Sequence, residues 1–149
     1  MQTFLPYPSF AESARVLDRA RLGKQRVEAY QVLRVLLGLS HGWSKHPAVR
    51  MWRGHERALF AYAAAICAEW KRRGYNEGVT WTKIVAITVE HGLVDINNPA
   101  VPPPWVGALA FHASHRAALL FKFPLHYGQF GWTEEPRVAY VWPTMEVRS

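Results

Sequence analysis

The stretch LDRARLGKQRVEAYQVL, residues 17–33, sets a single glutamate, Glu28, among four basic residues. Apolar positions of this stretch and of the residues after it share one face of a helix: Leu22, Ala29, Leu33, Leu36 and Leu37. Polar positions three and four residues apart share the opposite face: Arg21, Lys24, Glu28 and Gln31. The pattern predicts an amphipathic helix on which Lys24 and Glu28 are neighbours.

This spacing allows two interpretations of Glu28. A Lys–Glu pair on an exposed helix face is common and stabilises a protein by only a few tenths of a kcal/mol. Alternatively, Glu28 is a catalytic carboxylate at a place where a polyanion binds, and it stabilises positive charge that develops in the reaction. Spacing alone favours the surface pair, so the choice depends on other features of the chain.

Capping and breaking residues place the ends of this first helical region. Ser9, followed three residues later by Glu12, has the pattern of a capping box, and it predicts that a helix begins there. Gly23 is a weak point at which a kink or a break is predicted. Gly38 follows the last apolar position and predicts the end of the helix.

The rest of the chain also has helical patterns. Pro47 suits the first position of a helix, and the pattern continues to Arg73, with Gly54 as a point of division. Residues 79–92 are rich in β-branched side chains, but no second strand is evident, and we predict a helix. Residues 107–122 form a further helix, and residues 123–144 form an irregular tail rich in aromatic side chains. We therefore predict an all-α fold, a compact helical bundle with an irregular C-terminal tail.

Composition indicates one basic globular domain. The chain has 149 residues, 50% of them hydrophobic and 19% charged, which suits a single domain over residues 1–149. Its formal net charge of +7 indicates an anionic partner, of which nucleic acid is the commonest. Seven tryptophans and thirteen other aromatic residues supply a core and faces on which bases can stack.

The single cysteine and the first ten residues indicate the cellular compartment in which the protein is expected. Cys67 is the only cysteine, so an intramolecular disulfide is excluded. The start MQTFLPYPSF has neither the basic residues nor the apolar run of a signal peptide. No apolar stretch is long enough to span a bilayer. We expect a cytoplasmic, nucleoid-associated monomer without a membrane partner.

Few patterns indicate a metal or a cofactor. His112 and His115 are three residues apart on a predicted helix, which permits ligation, but no nearby carboxylate or cysteine completes a set. The chain has no glycine-rich phosphate loop, dinucleotide fingerprint or nucleophile elbow. We predict neither a metal nor a cofactor.

The segment FKFPLHYGQFGW, residues 121–132, alternates basic or polar groups with aromatic rings. That composition suits a surface that grips a nucleic-acid strand through phosphate contacts and stacking. It equally suits a segment that covers the core. Both interpretations stay open on sequence alone.

Three segments, in order along the chain, resemble the pyrimidine-dimer DNA glycosylase family, whose founding member is a phage endonuclease V. The first is LDRARLGKQRVEAYQVL, where Leu17, Leu22 and Glu28 match the family's spacing of two leucines and a glutamate. The second is EWKRRGYN, residues 69–76, which is similar to the end of the family's central helix. The third is RAALLFKFPLHYG, residues 116–128, which is similar to its last helix and the turn after it.

The resemblance implies a function. The family cleaves the glycosidic bond of a damaged base in duplex DNA, usually with strand scission at the abasic sugar, and uses no metal or cofactor. Its catalytic carboxylate corresponds to Glu28. Its nucleophile is the α-amino group of the mature N-terminus, which forms an imine with C1′ of the sugar. An α-amine titrates near neutrality and is therefore available for attack.

The N-terminus departs from the family pattern. The family's nucleophile is a threonine exposed by removal of methionine, whereas this chain begins Met1-Gln2-Thr3, and glutamine is too large for ordinary methionine removal. Three candidates follow: the Met1 amine, the Lys24 amine, or water in an enzyme that acts as a glycosylase only. Because the family's flanking arginines do not match exactly, a damaged base other than a pyrimidine dimer fits as well.

We predict double-stranded DNA as the partner. Six residues are predicted to contact it: Arg21, Arg26, Arg116, Lys122, His126 and Tyr127. The alternative is a non-enzymatic basic DNA-binding module that has the surface without the chemistry. A third hypothesis, a hydrolase of free nucleosides or nucleotides, predicts weak dependence on salt because few phosphates are neutralised.

Overall fold

The first two helices meet at a break beside Asp18 in the structure, a computed structural model that describes residues 1–94 and 100–143. Helix α1 spans Phe10–Val16, and its predicted cap is confirmed, because the Ser9 hydroxyl accepts a hydrogen bond from the Glu12 backbone nitrogen at 3.1 Å. Helix α2 spans Arg19–Leu36, and Asp18 takes the extended backbone conformation of an N-cap residue. The break therefore lies at residues 17–18.

The predicted kink or break at Gly23 is wrong, because α2 continues through this residue. A Cβ at Gly23 would lie 3.0 Å from Cζ3 of Trp70, so any larger residue here would require the indole ring to move by a few tenths of an ångström. Glycine inside a helix costs about 1 kcal/mol relative to alanine. The helix is nevertheless continuous, with the Trp70 ring packed against Gly23.

Five further helices complete the described part of the chain, in which no strand occurs. Their bounds are α3 Pro47–Arg50, α4 Glu56–Arg72, α5 Thr80–Glu90, α6 Leu109–Lys122 and α7 Pro124–Tyr127, with a 3₁₀ turn at Gly128–Phe130. The predicted division near Gly54, the helix over residues 79–92 and the helix over residues 107–122 are confirmed. The all-α prediction is confirmed.

The core lies where α2 and α1 pack against α4. The core includes Leu22 and Leu33 of α2 and Leu59 and Ile66 of α4, and all four side chains are fully buried. Burial of such a side chain contributes about 1.5–3 kcal/mol, and this contact therefore holds the face of α2 that carries Glu28 in a fixed orientation. No helix among the described residues is long and apolar enough to cross a membrane.

The C-terminal tail runs along α6, so the prediction of an irregular, aromatic-rich tail is confirmed after the short α7 helix. The backbone nitrogen of Arg137 donates to the Ala117 carbonyl at 3.1 Å, and that of Val141 donates to the Ser114 hydroxyl at 3.0 Å. These bonds bring Tyr140 beside Phe4, with ring centroids 6.4 Å apart. Thr144 lies outside the described residues.

Candidate active site

Residues 1–6, which we call the N-terminal segment, pass through the protein interior without regular structure. Buried backbone groups need hydrogen-bond partners, and here side chains supply them. The nitrogen of Leu5 donates to Nδ1 of His115 at 2.8 Å, and the Leu5 carbonyl is 2.7 Å from Nδ1 of His112. The indole of Trp52 donates to the Thr3 hydroxyl at 3.0 Å. The segment is therefore anchored along its length.

The two histidines anchor the segment as neutral rings. His112 Nε2 accepts a hydrogen bond from the Gly107 nitrogen at 2.8 Å, so its Nδ1 carries the proton that goes to Leu5. Burial lowers the pKa of His112, and it lowers the pKa of His115 to about 3. No group of three His, Cys, Asp or Glu side chains within residues 1–94 and 100–143 could hold a metal ion.

Gln25 joins the N-terminal segment to Glu28. This side chain is buried, and its Oε1 accepts hydrogen bonds from the Phe4 nitrogen at 3.0 Å and from the Tyr62 hydroxyl. Its Nε2 donates to the Gln2 carbonyl at 2.7 Å and to Oε1 of Glu28 at 3.0 Å. An amide offers two donors and two acceptor positions, so the full capacity of Gln25 is used.

A cleft of about 430 Å³ opens beside this network. It contains the three predicted nucleophile and carboxylate candidates, Met1, Lys24 and Glu28, together with two predicted DNA contacts, Arg21 and Lys122. Gln2, Phe4, Ala20, Gln25 and Tyr140 complete its walls. Three cations around one carboxylate create a positive field, which suits a substrate that carries phosphates.

Glu28 takes no part in the surface ion pair that its spacing permits. No ion pair joins it to Lys24 in the described part of the chain, and its hydrogen bond comes from Gln25 instead. Arg21, which lines the cleft, is paired with Asp18 at 3.1 Å. The carboxylate is therefore held by a buried amide and stays open to the cleft.

His46, which sequence reasoning did not select, interacts electrostatically with two of the same groups. Burial lowers the pKa of His46, the N-terminal amine lowers it further, and Glu28 partly offsets both effects. Nδ1 of His46 accepts a hydrogen bond from the Ala48 nitrogen at 3.0 Å and caps α3. Sequence reasoning also missed Gln25, although a polar residue on the apolar face between Leu22 and Ala29 was a signal of a buried polar contact.

Two predicted DNA contacts, Arg26 and Arg116, lie in internal ion pairs. The Arg26 guanidinium is 3.0 Å from the Glu77 carboxylate, also bonds to the Glu77 carbonyl, and lies over the Trp70 ring. Arg116 is paired with Glu134 at 2.9 Å and donates to the Pro6 carbonyl at 2.7 Å. A DNA contact from either arginine would require these bonds to break.

The remaining two predicted contacts, His126 and Tyr127, are not among the residues that line the cleft. Tyr127 is fully buried, and its hydroxyl donates to the Asp18 carboxylate and accepts from the Asp18 nitrogen. Burial raises the pKa of Asp18, but hydrogen bonds from Tyr127 and Arg21 outweigh it and lower the pKa overall. His126 lines a second cavity of about 600 Å³, which shares Lys24 with the cleft.

A comparison with models of known protein families shows the family to which this chain is related. The family model described as pyrimidine dimer DNA glycosylase matches residues 1–83. The chain belongs to this family. The searches of curated proteins and of solved structures found no match to this chain. In this glycosylase-family chain, the matched part includes Met1, Lys24, Gln25 and Glu28, whereas Lys122 belongs to the unmatched remainder.

Proposed function

We propose that the protein removes a pyrimidine-dimer base from duplex DNA and then cleaves the abasic sugar through an imine on the Met1 amine. The observation that supports this most is the cleft that Met1 and Glu28 share, with Gln25 bonded both to the backbone of Gln2 and to the carboxylate. The family match supports the glycosylase step. The imine and strand-scission steps are our proposal.

The chemistry requires one nucleophile and one carboxylate. The unprotonated amine of Met1 attacks C1′, the bond from C1′ to the base breaks, and the base leaves with the electron pair and takes up a proton. The attached nitrogen loses one proton, its electron pair forms the C=N bond as the C1′–O4′ bond breaks, and O4′ takes up a proton, which leaves an open sugar joined to Met1 by a protonated imine. Glu28 stabilises the positive charge that develops on the sugar, where a preorganised carboxylate has its largest effect.

Strand scission then uses the same two groups. The cationic imine makes the C2′ proton acidic, Glu28 accepts that proton, and the 3′ phosphate leaves with its bonding electrons. Water hydrolyses the imine and releases the Met1 amine. Lys24 is the weaker candidate for the nucleophile because it is exposed to solvent, whereas imine-forming lysines are commonly desolvated.

Arg21, Lys24 and Lys122 surround the cleft, and we propose that they contact phosphates on either side of the damaged nucleotide. Neutralised phosphates release counterions, so affinity should fall steeply as salt rises. One chain supplies both the amine and the carboxylate, and a monomer is therefore sufficient. We propose that the chain acts as a single domain over residues 1–149 on nucleoid DNA in the cytoplasm.

Trapping with borohydride tests the imine. Protein is mixed with ultraviolet-treated duplex, abasic-site duplex or untreated duplex, reduced, and digested for peptide mass spectrometry. We expect an adduct on the first two substrates, and we expect the modified peptide to carry DNA on the Met1 nitrogen. Acetylation of the N-terminus should abolish the adduct, since it removes the nucleophile. An adduct on Lys24 would contradict the assignment of the amine.

A matched pair of carboxylate variants tests the role of Glu28. Glu28→Gln should bind damaged duplex at the wild-type affinity and lose about 10²–10³-fold in the rate of base removal. The control is Glu90→Gln, an exposed carboxylate at the end of α5, which should retain the wild-type rate. Full activity of Glu28→Gln would contradict the mechanism, and absence of base removal in the wild type would favour a non-enzymatic DNA-binding module.

A further inference from the structure

Trp43 has an unusual backbone for its residue type. Its φ is +69°, and among the described residues it is the only one other than glycine with a positive φ. A side chain with a Cβ disfavours this left-handed region, and outliers of this kind concentrate at functional sites. The indole is 60% exposed, so burial of the ring does not explain the conformation.

A row of rings connects Trp43 to the cleft. Tyr140 lines the cleft, and its ring centroid is 5.8 Å from that of Trp142. Trp142 lies 6.2 Å from His46, and His46 lies 5.7 Å from Trp43. The charges of the N-terminal amine and of Glu28 both contribute to the pKa of His46, the ring next to Trp43 in this row.

The loop around Trp43 is basic. Residues 39–55 include Lys45, Arg50 and Arg53 and contain no Asp or Glu. Lys45 is exposed, and the Arg53 guanidinium is 3.5 Å from the Ser44 carbonyl, next to the indole in the chain. Exposed rings interleaved with cations are what proteins use to hold a nucleobase and the phosphate beside it.

We propose that Trp43 stacks on a nucleobase that leaves the duplex stack next to the lesion, while Lys45 contacts the adjoining phosphate. This inference rests on the proposed function, because it requires damaged duplex DNA in the cleft. Opening of the duplex leaves a base without its neighbours, and an indole face replaces the lost stacking for any base. With this left-handed backbone, Trp43 is 60% exposed and is open to a stacking partner.

Binding to a stable abasic analogue tests the proposal. The probe is a duplex with a tetrahydrofuran abasic site and 2-aminopurine beside it, which cannot form an imine. Trp43→Gly removes the ring and keeps a positive φ at no steric cost. We expect it to weaken binding roughly 5- to 150-fold, the loss typical of one base–aromatic stack, and to abolish the change in 2-aminopurine fluorescence.

Two further variants separate stacking from charge. Trp43→Phe keeps an aromatic face and should bind more tightly than Trp43→Gly. Lys45→Ala should reduce the slope of log affinity against log salt by about 1, whereas Trp43→Gly should leave the slope unchanged. If Trp43→Gly does not fold, Trp43→Asn takes its place, because asparagine also tolerates a positive φ.

The outcomes distinguish this inference from the proposed function. Wild-type affinity in Trp43→Gly, or equal losses in the glycine and phenylalanine variants, would overturn the stacking assignment. Borohydride trapping of the wild type on true abasic DNA reports on the proposed function independently. An adduct together with wild-type binding by Trp43→Gly would therefore refute the role of Trp43 alone.

Discussion

Replacing Gln25 by leucine, a side chain of similar size, removes four hydrogen bonds, of which two connect the N-terminal segment to α2, one holds Glu28 and one comes from Tyr62 of α4. The Phe4 nitrogen and the Gln2 carbonyl lose their partners, while the Tyr62 hydroxyl keeps its bond to the Phe4 carbonyl. A buried polar group without a partner costs about 1–3 kcal/mol. Two such groups predict a loss of about 4 kcal/mol in the free energy of unfolding.

The loss of activity in Gln25→Leu should be larger than the fraction of unfolded protein accounts for. Free energies of unfolding are about 5–15 kcal/mol, so Gln25→Leu should remain mostly folded at low temperature. In the folded variant, no side chain at position 25 fixes the position of the Met1 amine relative to the Glu28 carboxylate. A misplacement of about 1 Å can cost about 100-fold in rate, and we expect a loss of this order in the rate of borohydride trapping on abasic duplex.

The assay combines urea unfolding with single-turnover trapping at a temperature where each variant is folded by circular dichroism. Tyr62→Phe is the comparison variant, because it removes the hydroxyl that bonds to Gln25 and to the Phe4 carbonyl but leaves the other three bonds of Gln25 intact. It should lose about 1 kcal/mol of stability and trap at nearly the wild-type rate. A folded Gln25→Leu protein that traps at the wild-type rate would refute the positioning role of Gln25.

Three further predictions concern stability. Gly23→Ala should lower the free energy of unfolding by about 1 kcal/mol in urea, because overpacking against Trp70 at 3.0 Å outweighs the gain in helix propensity. The pKa of His115 is ordinarily 6.5 and is about 3 in the folded protein. Between these two pH values the unfolded chain binds a proton at His115 that the folded protein does not bind. The free energy of unfolding should therefore fall by about 1.4 kcal/mol per pH unit as the pH drops below 6.5. His115→Gln should flatten that profile, and an equally steep profile would assign the effect to other groups. Tyr127→Phe should lose about 2 kcal/mol of stability through its bonds to Asp18 but retain DNA affinity, and weaker binding by the folded variant would instead support a DNA contact.

Local signals in the sequence determined the helices and the face of α2 on which Glu28 lies. The cap at Ser9 and the glycine at Gly38 act within one turn of the chain, and the period of α2 depends only on neighbouring residues, so these features could be predicted. The same period placed Glu28 on the face with Arg21 and Lys24. These interactions are short in sequence and hold in nearly any tertiary context.

Only the tertiary structure decided which groups work together. Leu5 bonds to His115, 110 residues away, and Phe4 bonds to Gln25, 21 residues away, and no periodicity encodes partners at such separations. Nor does composition show that Arg26 is bound within the protein by Glu77 while Arg21 borders the cleft. The sequence does not distinguish a charged or polar side chain that faces solvent from one that bonds to a partner inside the protein. The physical reason is that burial, which makes an unpaired polar group costly, is a property of the packed chain and not of the residue.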